Sequence, residues 1–179
     1  SEPSTAVISS YTPSDYNGFG VSCNGDTDGS IDLSVSGGLG VYTYAWSNGS
    51  TTQDLSLIGA GTYSVVATDQ NGCTTQETVV ITESVTLTSS VTWSDYNGFG
   101  VSCNGDTDGS IDLSVSGGVG VHTYAWSNGP TSEDLSLIGA GTYSVVASDA
   151  NGCTTTETVI ITEPVALTSS YTPSDYNGF

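Results

Sequence analysis

One stretch of the chain decides the fold: residues 23–82 read CNGDTDGSIDLSVSGGLGVYTYAWSNGSTTQDLSLIGAGTYSVVATDQNGCTTQETVVIT. Its segments alternate apolar and polar residues, as in SIDLSVS (30–36), where Ile31, Leu33 and Val35 take every second position. A period of two is that of a strand with one buried face. Asn-Gly pairs and Gly clusters between the segments supply the positive φ values that tight turns need. The stretch therefore predicts short antiparallel strands joined by tight turns.

The strands predicted for the first repeat number about seven. They lie at residues 4–9, 18–22, 30–36, 41–47, 53–57, 61–68 and 73–82. Short strands separated by dense turn signals predict an all-β fold. An immunoglobulin-like β-sandwich is the favoured architecture, and a small β-barrel is the alternative.

The chain consists of near-identical tandem copies. Residues 11–90 align with residues 91–170 without a gap, and 67 of the 80 positions are identical. A period of this length suits a small self-contained domain. We predict tandem domains over 1–83 and 84–163 and the truncated start of a third repeat at 164–179. Only two residues separate the last strand of one repeat from the first strand of the next, which predicts a semi-rigid rod.

The composition excludes several classes of function. The 179 residues include 19 Asp plus Glu, one His and no Lys or Arg, for a formal charge of −19. Nucleic-acid binding and polybasic membrane anchoring both need Lys or Arg. No apolar run approaches the ~18 residues of a membrane span, so we expect no membrane insertion. Because the usual catalytic bases and cationic groups are missing from the first repeat, we predict that the protein is not an enzyme.

The start of the chain lacks an initiator Met and a signal peptide with its basic region. The last nine residues repeat residues 11–19 and then stop. We therefore expect the chain to be an internal segment of a longer protein.

Each repeat contains two cysteines that are 50 residues apart. They are Cys23 and Cys73 in the first repeat and Cys103 and Cys153 in the second. Zinc sites usually use closely spaced Cys pairs, and a catalytic thiol needs a His base that the first repeat lacks. The simplest of the three possible pairings is a disulfide within each repeat. We predict that pairing and, with it, an oxidising, extracellular location.

An Asp-rich turn, CNGDTDGSIDL at 23–33 and 103–113, precedes one of the strands. Its oxygen-bearing residues at alternate positions have the same spacing as the first ligands of an EF-hand calcium loop. The match ends at Val35, where that loop needs a bidentate Glu. Two interpretations remain: a solvated turn, or a Ca²⁺ site that relieves repulsion among the carboxylates. The candidate calcium ligands are Asn24, Asp26, Asp28, Asp32, Asn104, Asp106, Asp108 and Asp112.

Three aromatic residues, Tyr42, Tyr44 and Trp46, share one face of the predicted strand 41–47. They either form part of the core or make an exposed row on which sugar rings could stack. We favour the core, with Tyr42 near its rim because the second repeat has His122 at that position. We interpret His122 as a surface substitution rather than a catalytic base.

Residues 23–82 and 103–162 resemble the SprB-type repeat of giant surface adhesins of gliding Bacteroidetes-like bacteria. The resemblance rests on the motifs CNG, DGSI, SGG, YTYAWSNG, LIGAGTYSV and the closing D-x-NGC at residues 69–73. It implies an extracellular, secreted, multi-repeat cell-surface protein, linked to gliding motility, with Ig-like repeats. It also implies that no catalytic residues are present.

Two functions remain open. The first is a non-catalytic structural repeat in the stalk or fibre of a cell-surface adhesin or filament, whose partners are neighbouring repeats or other copies of the chain. The alternative is an adhesive module in which each repeat binds a polysaccharide or another surface. The aromatic residues that could make such contacts are Tyr16, Phe19, Tyr44 and Trp93.

Overall fold

A computed structural model describes residues 5–172, which contain twelve β-strands. The predicted all-β fold is confirmed. The strands of the first repeat are β1 (Ile8–Pro13), β2 (Gly29–Ser36), β3 (Thr43–Trp46), β4 (Leu55–Ile58), β5 (Gly61–Thr68) and β6 (Thr74–Ile81). Those of the second are β7 (Thr88–Trp93), β8 (Gly109–Ser116), β9 (Thr123–Trp126), β10 (Leu135–Ile138), β11 (Gly141–Ser148) and β12 (Thr154–Ile161).

Each repeat forms two antiparallel three-stranded sheets. Their strand orders are β1-β2-β4 and β3-β5-β6 in the first repeat, and β7-β8-β10 and β9-β11-β12 in the second. This is the ABE and CFG arrangement of an immunoglobulin-type sandwich without strand D. The architecture is therefore a tandem β-sandwich, with six strands per repeat among the described residues rather than the seven predicted.

The prediction of a strand at 18–22 was wrong, and that at 4–9 was displaced. In place of the former, Tyr16 and Phe19 form a single bridge around a turn in which Asn17 has φ 53°. The first strand begins only at Ile8 and extends to Pro13; residue 4 lies outside the described residues. Pro13 is tolerated because β1 is an edge strand, where one row of N–H groups has no partner strand. The other five predicted strands are present.

The core of the first repeat lies between its two sheets. Alternate residues of the long strands point inward, as Ile31 and Leu33 do in β2 and Val79 and Ile81 in β6. Nine buried side chains form one cluster: Val21, Ile31, Leu33, Trp46, Leu55, Ile58, Val65, Val79 and Ile81. All nine belong to the first repeat, so this cluster is formed by side chains of that repeat alone.

A β-bulge in β4 adapts its sequence to this core. Ser30 pairs with Ser56 and Gly29 with Ile58, so Leu57 is the extra residue. It has φ 55° and is 80% exposed. Because the bulge interrupts the period of two, Leu55 and Ile58 both face inward although they are three residues apart.

Two compact units make up the chain. The first extends through Thr88 and also includes Val115–His122 and Ser148–Thr155 of the second repeat. The second comprises Ser89–Ser114, Thr123–Ala147 and, among the described residues, 156–172. The domain boundaries 1–83, 84–163 and 164–179 and the rod remain predictions, and residues 1–4 and 173–179 of those domains lie outside the described residues.

Candidate functional site

The candidate site is a disulfide in the first unit that joins Cys23 to Cys153, with a Cα–Cα distance of 5.7 Å. The predicted pairing within each repeat was therefore wrong. The bond joins the first cysteine of one repeat to the second cysteine of the next. Cys73 and Cys103 are free, exposed thiols.

The length of β6 explains why Cys23 does not pair with Cys73. Cys73 directly precedes β6, whereas the Cys23 loop lies beside the residues that follow this strand. There the N–H of Gly25 donates to the Glu83 carboxylate at 2.7 Å, and the Asn24 amide donates to the Ser84 carbonyl at 2.8 Å. An eight-residue strand spans roughly 26 Å. Disulfides need a Cα–Cα distance of about 4.4–6.8 Å, so the two cysteines cannot meet.

Asn151 holds the turn that carries Cys153 against the Cys23 loop. Its side-chain amide donates to the carbonyls of Tyr16 and Ser22, at 3.2 and 3.0 Å. Its side-chain oxygen accepts a hydrogen bond from the amide of Asn17. This role of Asn151 was not predicted from the sequence. The only signal was its place in the repeated D-x-NGC motif.

A buried aspartate shapes each D-x-NGC turn. The Asp149 carboxylate accepts hydrogen bonds from the N–H groups of Val119, Asn151 and Cys153, at 2.8–2.9 Å. In the first repeat, Asp69 is 5% exposed and accepts the equivalent bonds from the N–H groups of Leu39, Asn71 and Cys73. Burial raises the pKa of Asp69, but these backbone hydrogen bonds outweigh it and hold the pKa below its ordinary value. The charged form thus fixes the geometry of the turn.

Replacing Asp69 by Asn is expected to lower stability in a pH-dependent way. A carboxyl whose pKa is depressed by folding stabilises the protein above its unfolded pKa of about 3.9, and this contribution disappears as the pH falls through the folded pKa. The difference between wild type and Asp69→Asn should therefore be largest at neutral pH and shrink below pH ~4. Urea unfolding across this range measures it. Asp32→Asn, at an exposed position of β2, is the control. A difference that does not vary with pH would contradict the assignment.

The Asp-rich turn is organised by hydrogen bonds to Ser22. The Asp28 carboxylate accepts from the Ser22 N–H at 3.0 Å, and Asp26 accepts from the Ser22 hydroxyl at 2.9 Å. Hydrogen bonds from Ser22 lower the pKa of Asp28. The Asn24 side chain instead bonds to the Ser84 carbonyl and the Thr86 hydroxyl. In the second repeat Asp106 and Asp108 bond to Ser102, and Asn104 bonds to the Pro164 carbonyl.

The candidate calcium ligands are not gathered into one cluster. Asp32 and Asp112 lie exposed within β2 and β8, after the turns rather than in them. Across residues 5–172, no three His, Cys, Asp or Glu side chains form a group that could hold a metal ion. Calcium binding remains a prediction. Identical thermal melts in EDTA and in millimolar calcium, at matched ionic strength, would contradict it.

The three aromatic residues predicted to share one face of strand 41–47 differ in burial. Trp46 is 4% exposed, and its indole N–H donates to the Thr52 carbonyl at 2.9 Å. Tyr44 is half-buried against the core cluster. Tyr42 lies outside β3 and donates to the Gly37 carbonyl, while His122 places Nε2 3.0 Å from the equivalent Gly117 carbonyl. The core interpretation is confirmed for Trp46. In the second repeat His122 takes the place of Tyr42 and contacts the equivalent carbonyl.

Aromatic side chains remain exposed beside the end of β7, in the second unit. A groove there has a volume of about 530 Å³. Trp93 in this groove is 53% exposed and Phe99 is 37% exposed. The groove is lined by Val91, Thr92, Trp93, Asp95, Gly98 and Phe99. The equivalent groove of the first repeat has Pro13 in place of the tryptophan.

Comparison with known proteins finds one family match within each repeat. No curated protein matches the chain. Among the described residues there is no helix long and apolar enough to span a membrane. Residues 21–51 and 101–131, together about a third of the chain, match the family model of the SprB repeat. Both matches begin just before the first cysteine of a repeat and include the Asp-rich turn and the tryptophan of the core. Each 80-residue copy therefore contains one segment that matches the SprB repeat.

Proposed function

We propose that this chain is a non-catalytic structural segment of an extracellular cell-surface adhesin, in which its repeats form part of a stalk or fibre. The observation that carries the proposal is the Cys23–Cys153 bond, which joins one repeat covalently to the next. The peptide backbone already links the two repeats, so what the bond adds under load is a shorter covalent path, which protects the residues between Cys23 and Cys153 from extension. The two SprB matches support the assignment to a surface adhesin.

The disulfide also supports an extracellular location. Disulfides persist in oxidising surroundings and are rare in a reducing cytosol. A surface location agrees with the net charge of −19, since a large charge of one sign keeps a repetitive protein soluble.

The use of side chains supports a structural rather than a catalytic role. The most buried aromatic residue, Trp46, fills the core, and the hydrogen bonds of Asp69 define a turn. The sequence has no Lys or Arg that could stabilise a developing negative charge.

Electron microscopy of intact source cells, labelled with a gold-conjugated antibody to one repeat, tests the proposal. We expect the label to follow threads that extend from the cell surface. Pre-immune serum provides the control. Label confined to the cell interior would overturn the proposal.

The groove at Trp93 favours a second candidate function, in which the repeat binds a polysaccharide. An exposed aromatic face with a carboxylate beside it, here Trp93 and Asp95, offers stacking and a hydrogen-bond acceptor to a sugar ring. The first repeat provides a natural control because it has Pro13 at the same position. Under this alternative Trp93→Pro reduces adhesion of purified protein to polysaccharide-coated surfaces. Under the structural proposal it leaves adhesion unchanged.

A further inference from the structure

The two free cysteines, Cys73 and Cys103, lie in surroundings that repeat those of the bonded pair. Cys103 precedes an Asp-rich turn in which the Gly105 N–H donates to Glu163 at 2.7 Å, as the Gly25 N–H does to Glu83. The Cys73 N–H donates to Asp69 at 2.8 Å, as the Cys153 N–H does to Asp149. Cys103 thus has the local structure of Cys23, and Cys73 has that of Cys153.

The 179 residues contain two D-x-NGC motifs, at 69–73 and 149–153. The second covers the surface around Cys23, and neither covers the equivalent surface around Cys103 of the same chain. Tyr16, Ser22 and Cys23 are half-buried, and Asn151 binds the carbonyls of the first two. The equivalent residues Tyr96, Ser102 and Cys103 are exposed. On the complementary turn Asn151 and Cys153 are half-buried, whereas Asn71 and Cys73 are exposed.

From this we propose that Cys103 is an acceptor site for the Asn71-Gly72-Cys73 turn of a second copy of this chain, and that the two molecules join there through a Cys103–Cys73 disulfide. The site repeats the Cys23–Cys153 junction between molecules. Such a junction uses different surfaces on the two partners, so further copies can add at both ends and build a polymer, either an open chain or a closed ring. The proposal deepens the proposed function and rests on its oxidising location.

The chemistry is thiol–disulfide exchange with a small disulfide such as oxidised glutathione. The Cys73 thiolate attacks one sulfur of glutathione disulfide, forms a mixed disulfide and releases one glutathione thiolate. The Cys103 thiolate then attacks the Cys73 sulfur of that mixed disulfide and releases the second glutathione thiolate. Two protein thiols lose two protons and two electrons, and glutathione disulfide gains them as two thiols. The charge of −19 on each copy opposes the encounter, so polymerisation should increase with salt.

The test mixes two variants of the full chain that each keep one of the free thiols. Cys73→Ser retains Cys103, and Cys103→Ser retains Cys73. Labelling one variant with ¹⁵N distinguishes the disulfide-linked dimers by intact mass after incubation in glutathione buffer. In the proposed junction Asn71 repeats the two hydrogen bonds that Asn151 makes to the Tyr16 and Ser22 carbonyls. Because these bonds favour the correct orientation, we expect the mixed dimer to exceed either homodimer by about tenfold. If the mixed dimer and the two homodimers form in the proportions expected for random pairing, the proposal is overturned.

Peptide mapping of the oxidised wild type provides the second readout. Trypsin has no cleavage site in this chain, but cleavage before Asp15, Asp69, Asp95 and Asp149 places the four cysteines in separate peptides. We expect multimers whose new linkage joins Cys73 to Cys103. A Cys23–Cys73 linkage, or a Cys73–Cys103 linkage within a monomer, would overturn the proposal.

A third variant tests the role of Asn71 as a positioning residue. Asn71→Ala, introduced into the Cys103→Ser partner, should reduce the excess of mixed dimer towards the statistical value. Asn151→Ala in the same partner should not, because Asn151 belongs to the junction within the chain. If Asn71→Ala leaves the excess of mixed dimer unchanged, Asn71 does not position the turn and the proposed geometry of the site is wrong. The surface-labelling experiment is independent of these results, so the two proposals can fail separately.

Discussion

Pulling the oxidised chain by its two ends is expected to leave a long stretch of it unextended, because the Cys23–Cys153 bond removes the intervening residues from the path of the force. The bond spans a sequence separation of 130 residues. At ~3.3–3.6 Å per fully extended residue, the hidden contour length is about 450 Å. Single-molecule force spectroscopy should therefore show short extensions in oxidising buffer and gain this hidden length after reduction. Cys23→Ser should show the long extension without any reductant.

Cys73→Ser is the matched control for the force experiment. It removes one of the exposed thiols and leaves the Cys23–Cys153 bond intact, so the short extension should persist. A long extension of the oxidised wild type would contradict the pairing of Cys23 with Cys153. A wild-type extension shortened by two separate loops, one in each repeat, would indicate the pairing within repeats instead.

Replacing Trp46 by Ala is expected to cost the first repeat about 3–5 kcal/mol of its free energy of unfolding. In the wild type the indole is 4% exposed and lies in the core cluster. The mutation removes it together with its hydrogen bond to the Thr52 carbonyl. Stabilities of about 0.05–0.15 kcal/mol per residue make this a large share of the stability of so small a repeat. Calorimetry should show the corresponding transition lowered by ~4–8 °C for each kcal/mol.

Val80→Ala is the control for the Trp46 variant because Val80 is 60% exposed in the same sheet as Trp46. A surface substitution of this kind changes stability by about 0.5 kcal/mol or less. Trp126→Ala should reproduce the effect of Trp46→Ala in the second repeat, where the indole is 5% exposed. A loss for Trp46→Ala no larger than that of Val80→Ala would contradict its place in the core.

Local pattern made most of each repeat predictable. The alternation around Ile31 and Leu33 identified both a strand and its buried face, because side chains of a strand point alternately to its two sides. The prediction failed at 18–22, where the Asn17-Gly18 turn limits pairing to a single bridge. The prediction for β4 missed the bulge at Leu57, since a residue with positive φ within a strand leaves no signal in an apolar pattern.

The sequence by itself determined the all-β class, the tandem repeat, the buried tryptophan and the absence of Lys and Arg. Each of these depends on composition or on residues close together in the chain. Only the tertiary structure decided which cysteines meet. Near-identical repeats give each first cysteine several equivalent partners, and the spacing within a repeat does not reveal that β6 holds Cys23 and Cys73 apart. Pairing depends on distance in space, and here that distance is set by the length of a strand and by the contacts of Asn151.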